Sequence, residues 1–167
     1  MSDCHRRVER FLQTLITLSA QENLEPSRRA ALEVALRYFR EAAPLHTLDE
    51  EESLFPRMRA AAGEELARAE ARLQSLEADH ARARAAHAEV EELAGRWLAR
   101  GRLDPGRRQR LRERLEELRV LYGPHIEVED REIFPLARRC LGPSDLLELG
   151  HEMARRRGLD PATLPRL

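Results

Sequence analysis

Residues 46–56 of this chain align without a gap on residues 125–135. In both segments a histidine (His46, His125) is followed by Glu at +4 (Glu50, Glu129), an acid at +5 (Glu51, Asp130), an aliphatic side chain at +8, Phe at +9 and Pro at +10. A proline also falls just ahead of each histidine, at Pro44 and Pro124. A fainter pair relates His5, preceded by Asp3 and Cys4, to His80, preceded by Ala78 and Asp79. The chain thus reads as two helix pairs, each presenting a lone histidine and then a His-x-x-x-Glu. Residues four apart stand one above the other on a helix, so each repeat aims an imidazole and a carboxylate the same way.

Composition agrees with helices. Ala, Leu, Glu and Arg dominate, aromatics make up 4%, and Val, Ile and Thr are scarce, which leaves little material for a sheet. Val8, Phe11, Leu12, Leu15 and Leu18 predict a first helix from about Asp3, as N-cap, to about Ala20. A second, with Ala31, Leu32, Ala35, Leu36 and Phe39 on one face, runs from the turn at 21–27 to about Ala61. A third spans about Glu64 to Arg100 and a fourth about Pro105 to Cys140, with glycines at the connections. The expected fold is all-α: an antiparallel, up-down-up-down four-helix bundle over 1–141. Residues 142–167 add a short fifth helix, about Ser144 to Arg157, and an irregular tail with Pro161 and Pro165.

Charge narrows the partners. The 29 basic residues, all arginine, balance 30 acidic ones. No basic excess drives binding to a phosphate backbone, so nucleic acid is not an expected partner. No apolar run approaches the roughly 20 residues that span a bilayer, and no signal pattern opens the chain. Cys4 and Cys140 form no CxxC, so a reduced, cytoplasmic protein is expected. No nucleophile–base–oxyanion set or phosphate-binding glycine loop is evident, so hydrolase and nucleotide readings lack support. The Arg/Glu-dense faces of the third and fourth helices read as solvated surfaces with i,i+4 pairs, on which a second copy of the chain could dock.

The repeat carries the chemistry. Two His-x-x-x-Glu helices and two single histidines bring His5, His46, Glu50, His80, His125 and Glu129 together from four helices. Burying such a set with nothing to neutralise it is expensive, and a pair of cations removes the cost while using every donor. Iron suits mixed imidazole and carboxylate ligation, and manganese or zinc is compatible with it.

These residues resemble the hemerythrin-like, HHE-type cation-binding family, whose pattern is H…HxxxE…H…HxxxE on a four-helix bundle. The resemblance covers roughly Asp3 to Cys140. It implies a non-haem di-iron centre with the two carboxylates bridging the irons and an oxo or hydroxo bridge between them. The oxygen-carrying members have HxxxH on the third helix and HxxxxD on the fourth. Here Arg84 stands at +4 from His80, so the fifth histidine is missing, and the fourth helix offers Asp130 as well as Glu129. Two six-coordinate irons have about twelve positions, of which this donor set and one bridge fill about ten, leaving about two open. Open positions admit O2, NO or peroxide, and the expected function is to react with or sense such molecules. A reversible oxygen carrier, an iron store or sensor, a peroxide- or NO-directed oxidoreductase, an enzyme with an organic substrate and a metal-free helical interaction module are the competing readings. For the organic-substrate reading no pocket is identifiable from sequence.

Further donors are conceivable at Glu77, three residues before His80, and Glu9, four after His5, although such glutamates are more often solvated. Glu9 and Arg84 hold matching places in the repeat and could pair with each other. His87 lies two turns, roughly 10 Å, from His80, too far to share an ion. Tyr122, Phe11, Phe55 and Phe134 read as core, the phenylalanines also keeping the site dry, and Cys4 as a small buried hydrophobe.

Overall fold

The computed structural model describes residues 2–61 and 63–163. Among them the chain forms five helices and no strand beyond a single bridge between Asn23 and Arg102. The helices are α1 (Ser2–Ser19), α2 (26–60), α3 (Glu64–Arg100), α4 (105–140) and α5 (Pro143–Arg156), followed by a 3₁₀ turn at Pro161–Thr163. Asp3 lies inside the first turn of α1 rather than capping it. Pro165 lies outside the described residues.

Two of the helices are not uniform. α2 is α-helical over Pro26–Arg37, Ala43–Leu48 and Phe55–Ala60 but widens to a π-helix over Tyr38–Ala42 and Asp49–Leu54. α4 widens over Glu129–Ile133, between Pro105–Val128 and Phe134–Cys140. Each widened stretch ends just ahead of a proline: Pro44, Pro56 or Pro135. Proline has no N–H to give, and its ring crowds the carbonyl four residues back. The backbone expands instead, and Ala43, Phe55 and Phe134 donate to the carbonyls five residues earlier, Tyr38, Glu50 and Glu129. Pro124 sits within a stretch that stays α-helical. The widening at Glu50 and at Glu129 falls on the carboxylates of the repeat, where π-turns commonly mark functional sites.

The four long helices pack in a ring, α1 on α2 and α4, α3 on α4 and α2. The α1–α2 and α3–α4 connections meet at one end, where Leu24 donates to the Gly101 carbonyl at 2.8 Å. Gly101 closes α3 in the left-handed conformation, φ 73°, which glycine adopts without strain, and Asp104 caps α4 by accepting from the Arg107 N–H.

The core is divided. One apolar cluster, with Leu12, Leu15, Leu32, Leu36, Val90, Trp97, Leu111, Leu115 and Leu118, fills the end of the bundle nearest those connections. The other, with Leu54, Phe55, Met58, Leu73, Leu76, Ile133 and Phe134, fills the opposite end. Because His5 already lies in the second turn of α1, that helix contributes no described residue to the second cluster. α5 takes its place, packing on the Asp49–Leu54 turn and adding Leu149 to the cluster. Between the two clusters lies a layer of buried polar side chains.

Candidate metal centre

That layer consists of His5, His46, Glu50, His80, His125 and Glu129, all buried, with Glu50 and Glu129 at 0% exposure. α1 supplies His5, α2 His46 and Glu50, α3 His80, and α4 His125 and Glu129. Each glutamate faces both halves of the chain with a separate oxygen. Glu50 Oε1 lies 3.3 Å from His46 Nε2 and its Oε2 lies 3.4 Å from His80 Nε2. Glu129 Oε1 lies 3.2 Å from His125 Nε2 and its Oε2 lies 3.0 Å from His5 Nε2. The histidines pair edge to face, His5 with His46 at 4.9 Å between ring centres and His80 with His125 at 4.8 Å. Two groups of donors result, His5–His46–Glu50–Glu129 and His80–His125–Glu129, with Glu50 also facing the second.

The donor set fits cations. Both ring nitrogens of His5 and His46 and both carboxylate oxygens of Glu50 and Glu129 are buried without a well-aligned hydrogen bond among the described residues. Buried polar atoms are normally satisfied, and acceptors crowded face to face at 3.0–3.4 Å without aligned hydrogens call for a positive charge between them. The electrostatics agree. Burial and the neighbouring Glu129 push the Glu50 carboxyl well above its ordinary range. Glu129 goes the other way, to about 2: burial opposes its charge, but the facing imidazoles of His125 and His5 outweigh burial. Burial, reinforced by the charge of His5, drives His46 down to about 3, whereas burial would lower His5 but the carboxylates of Glu129 and Asp130 raise it.

Three further carboxylates stand behind the histidines. Glu51 meets His80 Nδ1 at 2.9 Å, Asp130 stands 3.2 Å from His5 Nδ1, and Asp79 stands 3.4 Å from His125 Nδ1. The Glu51 and Asp79 hydrogen bonds fix the rings of His80 and His125 and leave Nε2 as the inward nitrogen, and Asp130 takes the corresponding place beside His5. The +5 acid of each repeat therefore serves the lone histidine of the other half. The +9 phenylalanines follow the same rule, with Phe55 stacked on His80 and Phe134 on His5. The symmetry breaks at His46, whose Nδ1 has no such acid among the described residues; the place corresponding to Asp79 holds Cys4.

Several sequence expectations land elsewhere. Glu77 faces away and is held by Arg59 at 2.8 and 3.0 Å, and Glu9 is exposed. Arg84 pairs with Glu51 at 3.4 Å instead of with Glu9. Cys4 is half-buried. His87 is also half-buried, stacked on Phe39 and joined to the Tyr122 hydroxyl at 2.9 Å. The roles of Glu51 and Asp79 were not assigned from sequence, although the repeated acid at +5 was a signal for the first.

A family model described as the hemerythrin HHE cation-binding domain matches residues 1–137. An uncharacterized protein of Haemophilus influenzae is 30% identical over 158 residues, covering 92% of this chain and 86% of the relative. The chain belongs to the hemerythrin HHE cation-binding domain family.

Proposed function

We propose that the buried layer holds two iron ions, and that the protein reacts with or senses O2, peroxide or NO. His5 and His46 would hold one ion and His80 and His125 the other, and Glu50 and Glu129, which face histidines of both halves, would complete the donor set. The observation that carries this reading is the pair of buried glutamates, each facing a histidine of both halves with a different oxygen. When bound, such a pair of irons supplies redox chemistry and open coordination positions for a small ligand. The chain's own residues do the rest. Glu51, Asp79 and Asp130 hold the imidazoles with Nε2 inward, and Phe55 and Phe134 exclude water from that side. Arg84, at the position where the oxygen carriers place a fifth histidine, turns outward to Glu51 and brings no donor to the centre. That favours reaction or sensing over reversible carriage. A metal-free interaction module is disfavoured by the unsatisfied buried atoms, which nothing in such a module would compensate.

Anaerobic reconstitution with ferrous salt, followed by iron analysis and stopped-flow mixing with O2, peroxide and NO in turn, tests the proposal. About two irons per chain and oxidation by at least one reagent are expected. No uptake, or iron retained after His46 and His125 are both replaced by Ala, would sink the metal assignment. Clean reversible O2 binding without oxidation would convert the reading to a carrier.

A further inference from the structure

A cleft of about 390 Å³ opens between α2 and α3 beside the buried layer. Phe39, Leu48, Ala83, His87 and Tyr122 form its walls, and Arg40, Arg84 and Glu91 lie on its rim. Ala43, Thr47, His80 and Tyr122 line both this cleft and the small cavity on which His5, His46, His125 and Glu129 converge. The volume falls in the range of clefts that bind organic molecules and far exceeds what a diatomic gas requires.

The lining has a definite chemistry. His87 stacks on Phe39 at 4.5 Å, and its Nε2 meets the Tyr122 hydroxyl, while its Nδ1 is buried without a hydrogen-bond partner among the described residues. Burial lowers His87 to about 4, leaving the ring uncharged at neutral pH. On the rim, Arg40 holds Glu91 tightly at 2.6 Å and cancels its charge. Arg84 is less committed. It is 60% exposed and reaches Glu51 only at 3.4 Å, while the shorter contact of Glu51, 2.9 Å, goes to His80. An apolar slot thus ends at an arginine free to exchange its partner.

We propose that this cleft binds a small amphipathic carboxylate, its apolar body against Phe39, Leu48, Ala83 and Tyr122 and its carboxylate on the guanidinium of Arg84. The assignment goes beyond the gas-directed reading and does not depend on metal being bound. Arginine suits a carboxylate because its planar fork matches the two oxygens. Bound there, the ligand would lie against His80, next to the centre.

Fluorescence titration of the purified full chain with 2-naphthoate, as isolated and after chelation, tests the proposal. Saturable one-to-one binding is expected in both states. It should weaken at least about tenfold, roughly 1.4 kcal/mol, in Arg84→Gln and in Ala88→Trp, which fills the cleft from an exposed lining position on α3. The uncharged 2-naphthol should bind more weakly than 2-naphthoate. Thermal melts would establish that both variants remain folded. Absence of saturable binding overturns the proposal, as does binding indifferent to Ala88→Trp or to Arg84→Gln. Binding lost on chelation alone would place the carboxylate on the metal and overturn it equally, while leaving the iron reading intact.

Discussion

Glu51, from the first helix pair, holds Nδ1 of His80, from the second, at 2.9 Å, and Asp130 stands in the reciprocal relation to His5. Each half of the repeat thus orients the lone histidine of the other. Glu51→Ala should therefore weaken metal binding by about 10–100-fold, the usual effect of removing a carboxylate behind a ligating imidazole. Glu50→Ala, which removes an oxygen facing both halves, should cost more. Competition with a chelator of known affinity, read by metal content, checks the order. Equal losses in the two variants would show that Glu51 is not a supporting residue.

Asp49 is completely buried, and α5 reaches back to neutralise it. Arg156 Nη1 donates to Oδ1 at 3.0 Å and Arg157 Nη2 to Oδ2 at 2.7 Å, while Arg156 also donates to the Ser53 hydroxyl at 2.6 Å. This pins the widened turn that carries Glu50. Replacing both arginines by Ala leaves a buried carboxylate unpaired, at a cost of about 3 kcal/mol or more. For a chain of this size that corresponds to a Tm lower by roughly 6–12 °C. Adding Asp49→Asn to the double variant should recover part of the loss, because the stranded charge is then gone. A melt showing no difference between the double variant and the parent would refute the clamp.

Helix boundaries and the shared face of each His-x-x-x-Glu pair were legible in the sequence for a common reason: both are local. The i,i+4 spacing of His46 with Glu50 and of His125 with Glu129 fixes their shared face whatever the tertiary context. The glycines at 63 and 101 and the proline at 105 mark the ends of α3 and the start of α4. What could not be read depends on distant parts of the chain. Glu51 was visible as a repeated acid, but its reach to His80 across 29 positions is set by how α2 packs on α3. The π-turns arise from Pro44, Pro56 and Pro135 acting on widened backbone, whereas Pro124, equally visible, leaves its helix unchanged. The cleft beside Phe39 and His87 is a gap between two helices and has no sequence signature at all.

Glu77 separates pattern from geometry. Its ExxH spacing to His80 made it a candidate donor, yet Arg59 holds it at the surface. Glu77→Ala should leave the metal taken up per chain unchanged and alter stability by no more than about 0.5–1 kcal/mol, as for an exposed ion pair. Metal analysis and a denaturation curve test both parts. A stoichiometric loss of metal would return Glu77 to the candidate donors.

The bond between α5 and α2 also carries a pH dependence with a definite sign. Arg57 grips Glu152 with both of its terminal nitrogens, at 2.9 and 3.0 Å, and these hydrogen bonds hold the Glu152 carboxyl at about 2, against an ordinary value of 4.5. A carboxyl depressed in the folded state binds its proton more readily once unfolded, so the pair stabilises above the unfolded value and the contribution fades as pH falls through the folded one. Glu152→Gln should therefore be less stable than the parent at pH 6–7, and the gap should shrink below about pH 4.5 and close near pH 2. High salt should narrow it as well, since the pair is partly exposed. Urea unfolding of both proteins between pH 7 and pH 3 measures the gap directly. A constant difference across that range would mean that Glu152 acts through packing rather than through its charge.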